Sequence, residues 1–474
     1  MTPRAIGLIT AASLALLGAT LRAQPALDWQ AVEADTLRHY QALLRLDTSN
    51  PPGNEDLAAQ YLKQVLDQAG IPAQIVASDA KRSNVIARLK GSGRKRPLLI
   101  MGHTDVVTVD PAKWTFPPFS ATRDGGYVYG RGAVDDKDNL TAALMTMLLL
   151  KQQNVALDRD VIFLAEAGEE GNSRIGVGFM AAQHFPEIEA EYCLAEGGDI
   201  VREGGAAKYA EVETVEKVPR GIELVARGIA GHGSIPLKSN AIAHLGAAVG
   251  RIGEWRPDIK LNETTATYFR RLATLAPPEQ AKYYRDVVSP DPKVARAADD
   301  WLFENEPRHS SMLRTSVSPN IIQGGYRSNV IPSEAKATLD VRMVPDEDRD
   351  AFLEQVRKIV NDPAIEVRFS GNAATQRPVP PVARLDSEIF RTIEASVTRV
   401  YNIPTLPSMA TGATDMAQLR ARGMECVGIG AAIDVEDQAK GFGMHSDQER
   451  LLESELHRFV RFNWEIVTAL ARTR

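Results

Sequence analysis

Three short apolar runs, each ending at a glycine-flanked histidine or carboxylate, constrain this chain more than any other feature. Pro97-Leu98-Leu99-Ile100-Met101 leads into Gly102-His103-Thr104-Asp105. Val161 to Ala165 leads into Glu166-Ala167-Gly168-Glu169-Glu170-Gly171. Glu191 to Ala195 ends in Glu196-Gly197-Gly198. Runs of this length read as strands buried in an α/β sheet, and the carboxyl ends of such strands open on the ligand crevice. Helical stretches surround them: Trp29 to Leu46, Glu55 to Ala69 after the breaker Asn50-Pro51-Pro52-Gly53-Asn54, and Asn139 to Gln153. Asn84 to Leu89 adds a further strand.

The strand ends carry the chemistry. Glu169 and Glu170 repel each other, and a metal relieves that. One carboxylate can then bind metal while its neighbour acts as a base. Taken alone, the pair also fits a solvated acidic loop. His103 and Asp105 are two apart and point the same way in an extended segment. A histidine can ligate zinc while a carboxylate orients its ring, although a plain structural histidine fits as well. Gly130-Arg131-Gly132-Ala133-Val134-Asp135-Asp136-Lys137 precedes the helix from Asn139. An acid there also gains from the helix dipole, which is the other reading of Asp135 and Asp136. Together His103, Asp135, Glu170 and Glu196 supply mixed N/O ligands that suit zinc.

A chain of 474 residues has room for two or more domains. Its net charge of -6 points away from nucleic acid or another polyanion. Residues 1–23 have the form of a secretory signal, with Arg4 before an apolar stretch and a cut near Ala23. An uncleaved anchor is the other reading. The expectation is export to the periplasm or medium, with no membrane association beyond the signal. Cys193 and Cys426 allow one disulfide or two buried thiols, and a strand around Cys193 favours burial. Gly221 to Arg227 and Lys336 to Arg342 alternate as half-buried strands. In the second, Ala337, Leu339 and Val341 face inward, and Asp340 and Arg342 share the opposite face, where they could form a surface bridge. Residues 255–312 are polar and helix-rich, and read as a solvated helical lid. Glu425 to Gly430 is a strand, and a closing helix follows His445.

The motifs His103-Thr104-Asp105, Gly130 to Lys137, Gly168-Glu169-Glu170-Gly171, Glu196-Gly197-Gly198, Gly231-His232-Gly233-Ser234-Ile235-Pro236, Asn329-Val330-Ile331-Pro332 and Met444-His445-Ser446-Asp447-Gln448-Glu449 run in one order over nearly the whole chain. In that order they resemble the zinc-dependent exopeptidases and deacylases that include aminoacylase, carnosinase, succinyl-diaminopimelate desuccinylase, glutamate carboxypeptidase and carboxypeptidase S. Residues 255–312 are similar to an insertion of the carboxypeptidase S branch.

The resemblance implies two Zn2+ ions per chain, with Co2+ or Mn2+ able to substitute. Asp135 bridges them; His103 and Glu196 complete one site, Glu170 and His445 the other. Glu169 is the general base, and Asp105 orients His103. His232 supports the oxyanion in the active site of a homodimer partner. Arg342 clamps a substrate carboxylate, and the loop from Met409 to Asp415, with Gly412, lies beside the substrate. The implied substrate is a small peptide or N-acyl amino acid cleaved beside a free carboxylate. Two positions depart from the family: Asp138 where glycine is usual, and Ala195 where aspartate is usual. The implied fold is a mixed α/β catalytic domain flanked by helices, residues 24–216 and 374–474, with an inserted α+β lid or dimerisation domain, 217–373. A zinc aminopeptidase and a non-catalytic metal- or peptide-binding protein remain alternatives. Arg342 argues against the first and Glu169 against the second.

Overall fold

A computed structural model describes residues 27–371 and 377–473. The expected signal segment lies outside the described residues. Among them, no helix is long and apolar enough to cross a membrane.

The three apolar runs become neighbours in one sheet. Leu98–His103 pairs in parallel with Val161–Glu166 on one side and Tyr192–Ala195 on the other. The registers Leu98↔Val161 and Leu98↔Tyr192 start all three strands at one edge. Their carboxyl ends therefore finish together, and so do the residues that follow them. Among the described residues this sheet has ten strands. Its spatial order is Ala73–Asp79, Arg82–Leu89, Val161–Glu166, Leu98–His103, Tyr192–Ala195, Glu425–Gly428, Ala206–Glu216, Asp199–Glu203 and Ala432–Asp434, and Thr405–Ala410 pairs onto Ala206–Glu216.

Side-chain alternation covers both faces of this sheet. Leu98, Ile100, Val161 and Phe163 pack with Leu140, Leu144, Phe459 and Ile466 from the helices Lys137–Gln152 and Glu453–Ala471. Leu99, Met101, Ile162 and Leu164 point the other way, into a cluster with Val177, Met180 and Leu419. Cys193 and Cys426 are register partners on adjacent parallel strands, and both are buried free thiols. Asp138, one of the two positions that depart from the resembling motif, is buried in the first turn of Lys137–Gln152, which forms without a glycine there.

A second sheet of five strands is antiparallel throughout. Glu334–Met343 alternates as its sequence predicts, with Ala337, Leu339 and Val341 buried under the helices Ala241–Glu254 and Arg349–Val360. Asp340 and Arg342 lie on the uncovered face. Residues 216–218 and the segment before Ala383 connect the two sheets.

The stretch 255–312 differs from the expected solvated lid. It contains the helices Glu263–Leu272, Pro278–Asp286, Pro292–Asn305 and Pro307–Met312. Tyr268, Phe269, Leu272 and Leu302 are buried against Val215, Leu406 and Met409 of the large sheet. The polar average of the stretch hides a narrow apolar face at helical spacing.

Candidate metal centre

His103 closes the central strand and is 2% exposed. Its Nδ1 lies 2.9 Å from the main-chain oxygen of Asp105, which places the ring proton there and leaves the Nε2 lone pair for a metal. Nε2 lies 3.0 Å from Asp135 Oδ1 and 3.7 Å from Glu196 Oε2. On the far side of Asp135, His445 Nε2 lies 3.0 Å from Oδ2 and 2.9 Å from Glu170 Oε1. The two oxygens of one aspartate thus face two different histidines, each with its own glutamate. Donors around a tetrahedral zinc are about 3.3 Å apart, given metal–ligand distances near 2.0–2.2 Å. The observed separations bracket that value, so this donor set fits a metal pair.

Charge supports the same fit. Burial acts to raise the Asp135 pKa, but hydrogen bonds to the two histidine rings outweigh it and hold the carboxyl below its ordinary value. Hydrogen bonds to Asp135 and Glu170 push His445 up to about 10. Positive charge is favoured between these carboxylates, and a bound cation would supply it in place of the protons.

Asp136 is a donor that the sequence reading did not assign. It forms a second metal-compatible grouping with His103 and Glu196. It also sits at the N-cap of Lys137–Gln152 but makes no capping bond there. Its Oδ2 instead accepts from the backbone N–H of His103 at 3.1 Å. A helix-start acid and a second acid for the metal cluster look identical in sequence.

The Asp105 side chain has a different task from the one expected. Its Oδ1 is 3.6 Å from His103 Nδ1, too far for a hydrogen bond. That ring is held by the Asp105 main chain instead. The carboxylate accepts from the backbone N–H groups of Gly168 at 2.9 Å, Glu169 at 3.1 Å and Glu170 at 3.1 Å, and from Asn50 Nδ2 at 2.8 Å. Asp105 therefore shapes the turn that presents Glu169 and Glu170. Gly168 allows that turn: its φ is +80°, and a Cβ there would meet Ile175 Cγ1 at 2.6 Å.

Glu169 makes no contact with either histidine among the observed ion pairs, unlike Glu170. Burial, then the charge of Asp415, push its carboxyl up to about 8. A nearby cation acts in the opposite direction. Of the two glutamates in the turn, Glu170 meets a histidine of the cluster and Glu169 meets Arg377 instead.

Glu449 anchors the loop that carries Asp135. It accepts from Arg131 Nη1 at 2.6 Å and from the backbone N–H groups of Gly132 and Val134 at 3.1 and 2.8 Å. Both charged side chains are buried. Removing one member of a buried pair leaves the other charge uncompensated. Glu449→Ala should therefore lower unfolding free energy by about 3–5 kcal/mol in urea titrations. A change under about 1 kcal/mol would show that the loop does not depend on it.

Three expected site residues lie apart from the cluster. His232 is exposed, and its ring accepts from Ser234 N at 3.1 Å and bonds Ser234 Oγ at 2.7 Å. Arg342 donates through Nε to Asp340 Oδ1 at 2.8 Å and through Nη2 to Oδ2 at 3.2 Å, the bridge its sequence spacing allowed. Gly412 is exposed with open space around it.

Comparison with known proteins agrees with this architecture. Residues 99–468 match the model of peptidase family M20/M25/M40. The chain belongs to that family. The M20 chain is 29% identical over 337 residues to a probable carboxypeptidase S-like protein of Dictyostelium discoideum. That match covers 68% of this chain and spans 62% of the relative's length. It is 28% identical over 387 residues to a probable succinyl-diaminopimelate desuccinylase of Staphylococcus aureus, covering 81% of this chain and 87% of the other. Its fold matches the M20 metallo-carboxypeptidase Sso-CP2 of Sulfolobus solfataricus with a TM-score of 0.69 at 19% identity, covering 92% and 99% of the two chains. Family membership makes the protein a hydrolase of the M20 peptidase and amidohydrolase class, and the cluster around Asp135 is its candidate metal site.

Proposed function

We propose that this M20 chain is an exported di-zinc hydrolase that cleaves the amide bond of small peptides or N-acyl amino acids beside a free carboxylate. The observation that carries this reading is the 3.0 Å approach of each Asp135 oxygen to a different imidazole Nε2. A shared carboxylate between two histidine–glutamate pairs is what a two-metal site needs. His103 and Glu196 would hold one ion, His445 and Glu170 the other. Two such cations supply Lewis acidity and a water acidic enough to lose its proton near neutral pH.

This chain's residues do the rest. Glu169 takes the proton from that water and returns it to the leaving amine. Asp105 fixes the Glu169–Glu170 turn. His232 from a second copy supports the oxyanion. An exposed edge favours such a homodimer: Ile321 and Ile322 lie on the edge strand Ser316–Gly324, with Tyr326 beyond it 78% exposed. Sedimentation equilibrium tests this, and a monomer at micromolar concentration would contradict it. Export rests on residues 1–23, and cell fractionation tests it.

Selectivity falls to Arg342. The metals and Glu169 treat any amide alike, so preference must come from contacts further along the substrate. The bonds to Asp340 use Nε and Nη2, and Nη1 takes part in neither. A guanidinium meets a carboxylate with geometry that lysine cannot copy. The relatives named as a carboxypeptidase and a desuccinylase are consistent with such substrates.

The test is a panel of dipeptides and N-acyl amino acids assayed with zinc, cobalt and manganese. Turnover should disappear with a chelator and return with metal. Arg342→Ala and Arg342→Lys should each lower kcat/KM on free acids about 10–100-fold, the scale of a charged hydrogen bond. They should change cleavage of the amidated compounds far less. Equal cleavage of free-acid and amidated substrates by the parent enzyme would remove the carboxylate clamp.

A further inference from the structure

Asp105 fixes the backbone of Glu169 but leaves its side chain free to turn. One guanidinium reaches that side chain. Arg377 Nη2 donates to Glu169 Oε1 at 3.4 Å and lies 3.6 Å from Asp415 Oδ1, so one guanidinium nitrogen sits between two carboxylates. Asp415 is 2% exposed and cannot move away into solvent. Without a cation between them, the two carboxylates would repel each other in a poorly solvated space.

Arg377 is itself held at both ends. Its Nη1 donates to the main-chain oxygen of Thr414 at 2.5 Å. Its own main-chain oxygen accepts from Arg220 Nη2 at 2.9 Å. Arg220 is 7% exposed, and its backbone N–H donates to Val341 O of the second sheet at 2.8 Å. Arg377 lies on the segment that returns from the second sheet to the first. A continuous set of bonds therefore runs from the strand Glu334–Met343 through Arg220 and Arg377 to Glu169.

We infer that Arg377 is a positioning residue that fixes where the Glu169 carboxylate sits, and that it ties this position to the crossing between the two sheets. The inference rests on the reading of Glu169 as general base. Arg377 hydrogen-bonds Glu169 and the main chain of Thr414, with the Asp415 carboxylate at ion-pair distance, so its contact with the reaction runs through the base. A base displaced by about 1 Å loses about 10²-fold in rate.

The test combines single and double variants of the zinc-loaded enzyme. R377A should lower kcat about 10²-fold with KM within about twofold and zinc content unchanged. R377K should recover part of the loss, as should guanidinium added to R377A, whereas a purely architectural defect would not respond to guanidinium. Where R377A melts early, R377Q carries the same comparison. E169Q/R377A should be no slower than E169Q alone, because the second change acts through the first. In crystals of R377A the Glu169 carboxylate should move while the bonds from Asp105 to residues 168–170 remain. Additive losses in the double variant, or a rise in KM with kcat intact, would overturn the inference. If E169Q itself turns over like the parent, the base reading fails, and that result is distinct because it needs no Arg377 variant.

Discussion

Glu169→Gln should retain both metal ions and lose about 10²–10⁴-fold in kcat, the contribution of a positioned general base. The geometry separates the two glutamates of the turn. Glu170 Oε1 is 2.9 Å from His445 Nε2, within the metal grouping, while Glu169 makes no contact with either histidine among the observed ion pairs. Glutamine keeps the size and the hydrogen-bonding shape of the side chain but cannot take a proton. The Asp105 bonds go to backbone N–H groups, so they survive the change. The expected result is a folded, metal-loaded and inactive protein. Metal analysis after gel filtration, beside single-turnover kinetics, reads both quantities. Loss of zinc in proportion to loss of activity would make Glu169 a ligand and remove the base from the proposed mechanism.

The second large effect belongs to Asp135. Each of its oxygens lies 3.0 Å from a different histidine. Asp135→Ala removes one donor from each proposed site at once. Loss of an outer partner of a metal ligand already costs about 10–100-fold in affinity, and a shared inner ligand costs more at both sites. The variant should purify with neither ion and no turnover. His103→Ala provides the contrast, because it strips a donor from one site only. One full zinc equivalent at parental affinity in Asp135→Ala would contradict the bridge.

The parts of this molecule that were legible in sequence are those in which local pattern and buried position agree. The runs ending at His103, Glu166 and Glu196 are apolar through their strand cores, and they form the adjacent parallel strands that bring those ends together. Glu334–Met343 alternates, and its faces follow that alternation. The longest strand of the large sheet, Ala206–Glu216, was not legible. Glu211, Glu213 and Glu216 interrupt its apolar pattern, and charged residues ordinarily mark solvent. All three are buried and paired: Arg308 meets Glu211, and Arg420 meets both Glu213 and Glu216. Those partners lie far along the chain, so no window of sequence contains the reason. Ser316–Gly324 was missed for the opposite cause. It is an exposed edge strand with Pro319 inside it, a residue that edges tolerate and central strands do not.

The site followed the same division. His103, Asp135, Glu170, Glu196 and His445 stand in motifs, and the structure gathers them. The work of Asp105, Asp136, Glu449 and Arg377 depends on which backbone N–H or carboxylate folds against each one. The expected bond from the Asp105 carboxylate to His103 is absent: that carboxylate supports the Glu169–Glu170 turn, and the Asp105 main chain holds the His103 ring. Residues 255–312 were read from average polarity, which concealed the face that Tyr268 and Phe269 bury against the large sheet.

The central claim is a pair of metal ions that share Asp135. Crystals grown with zinc and measured on both sides of the zinc absorption edge test it directly. The account predicts two anomalous peaks about 3.5–4 Å apart. One peak should adjoin His103 and Glu196, the other His445 and Glu170, with one Asp135 oxygen directed at each. A single peak at full occupancy, or two peaks with Asp135 touching only one, would contradict it.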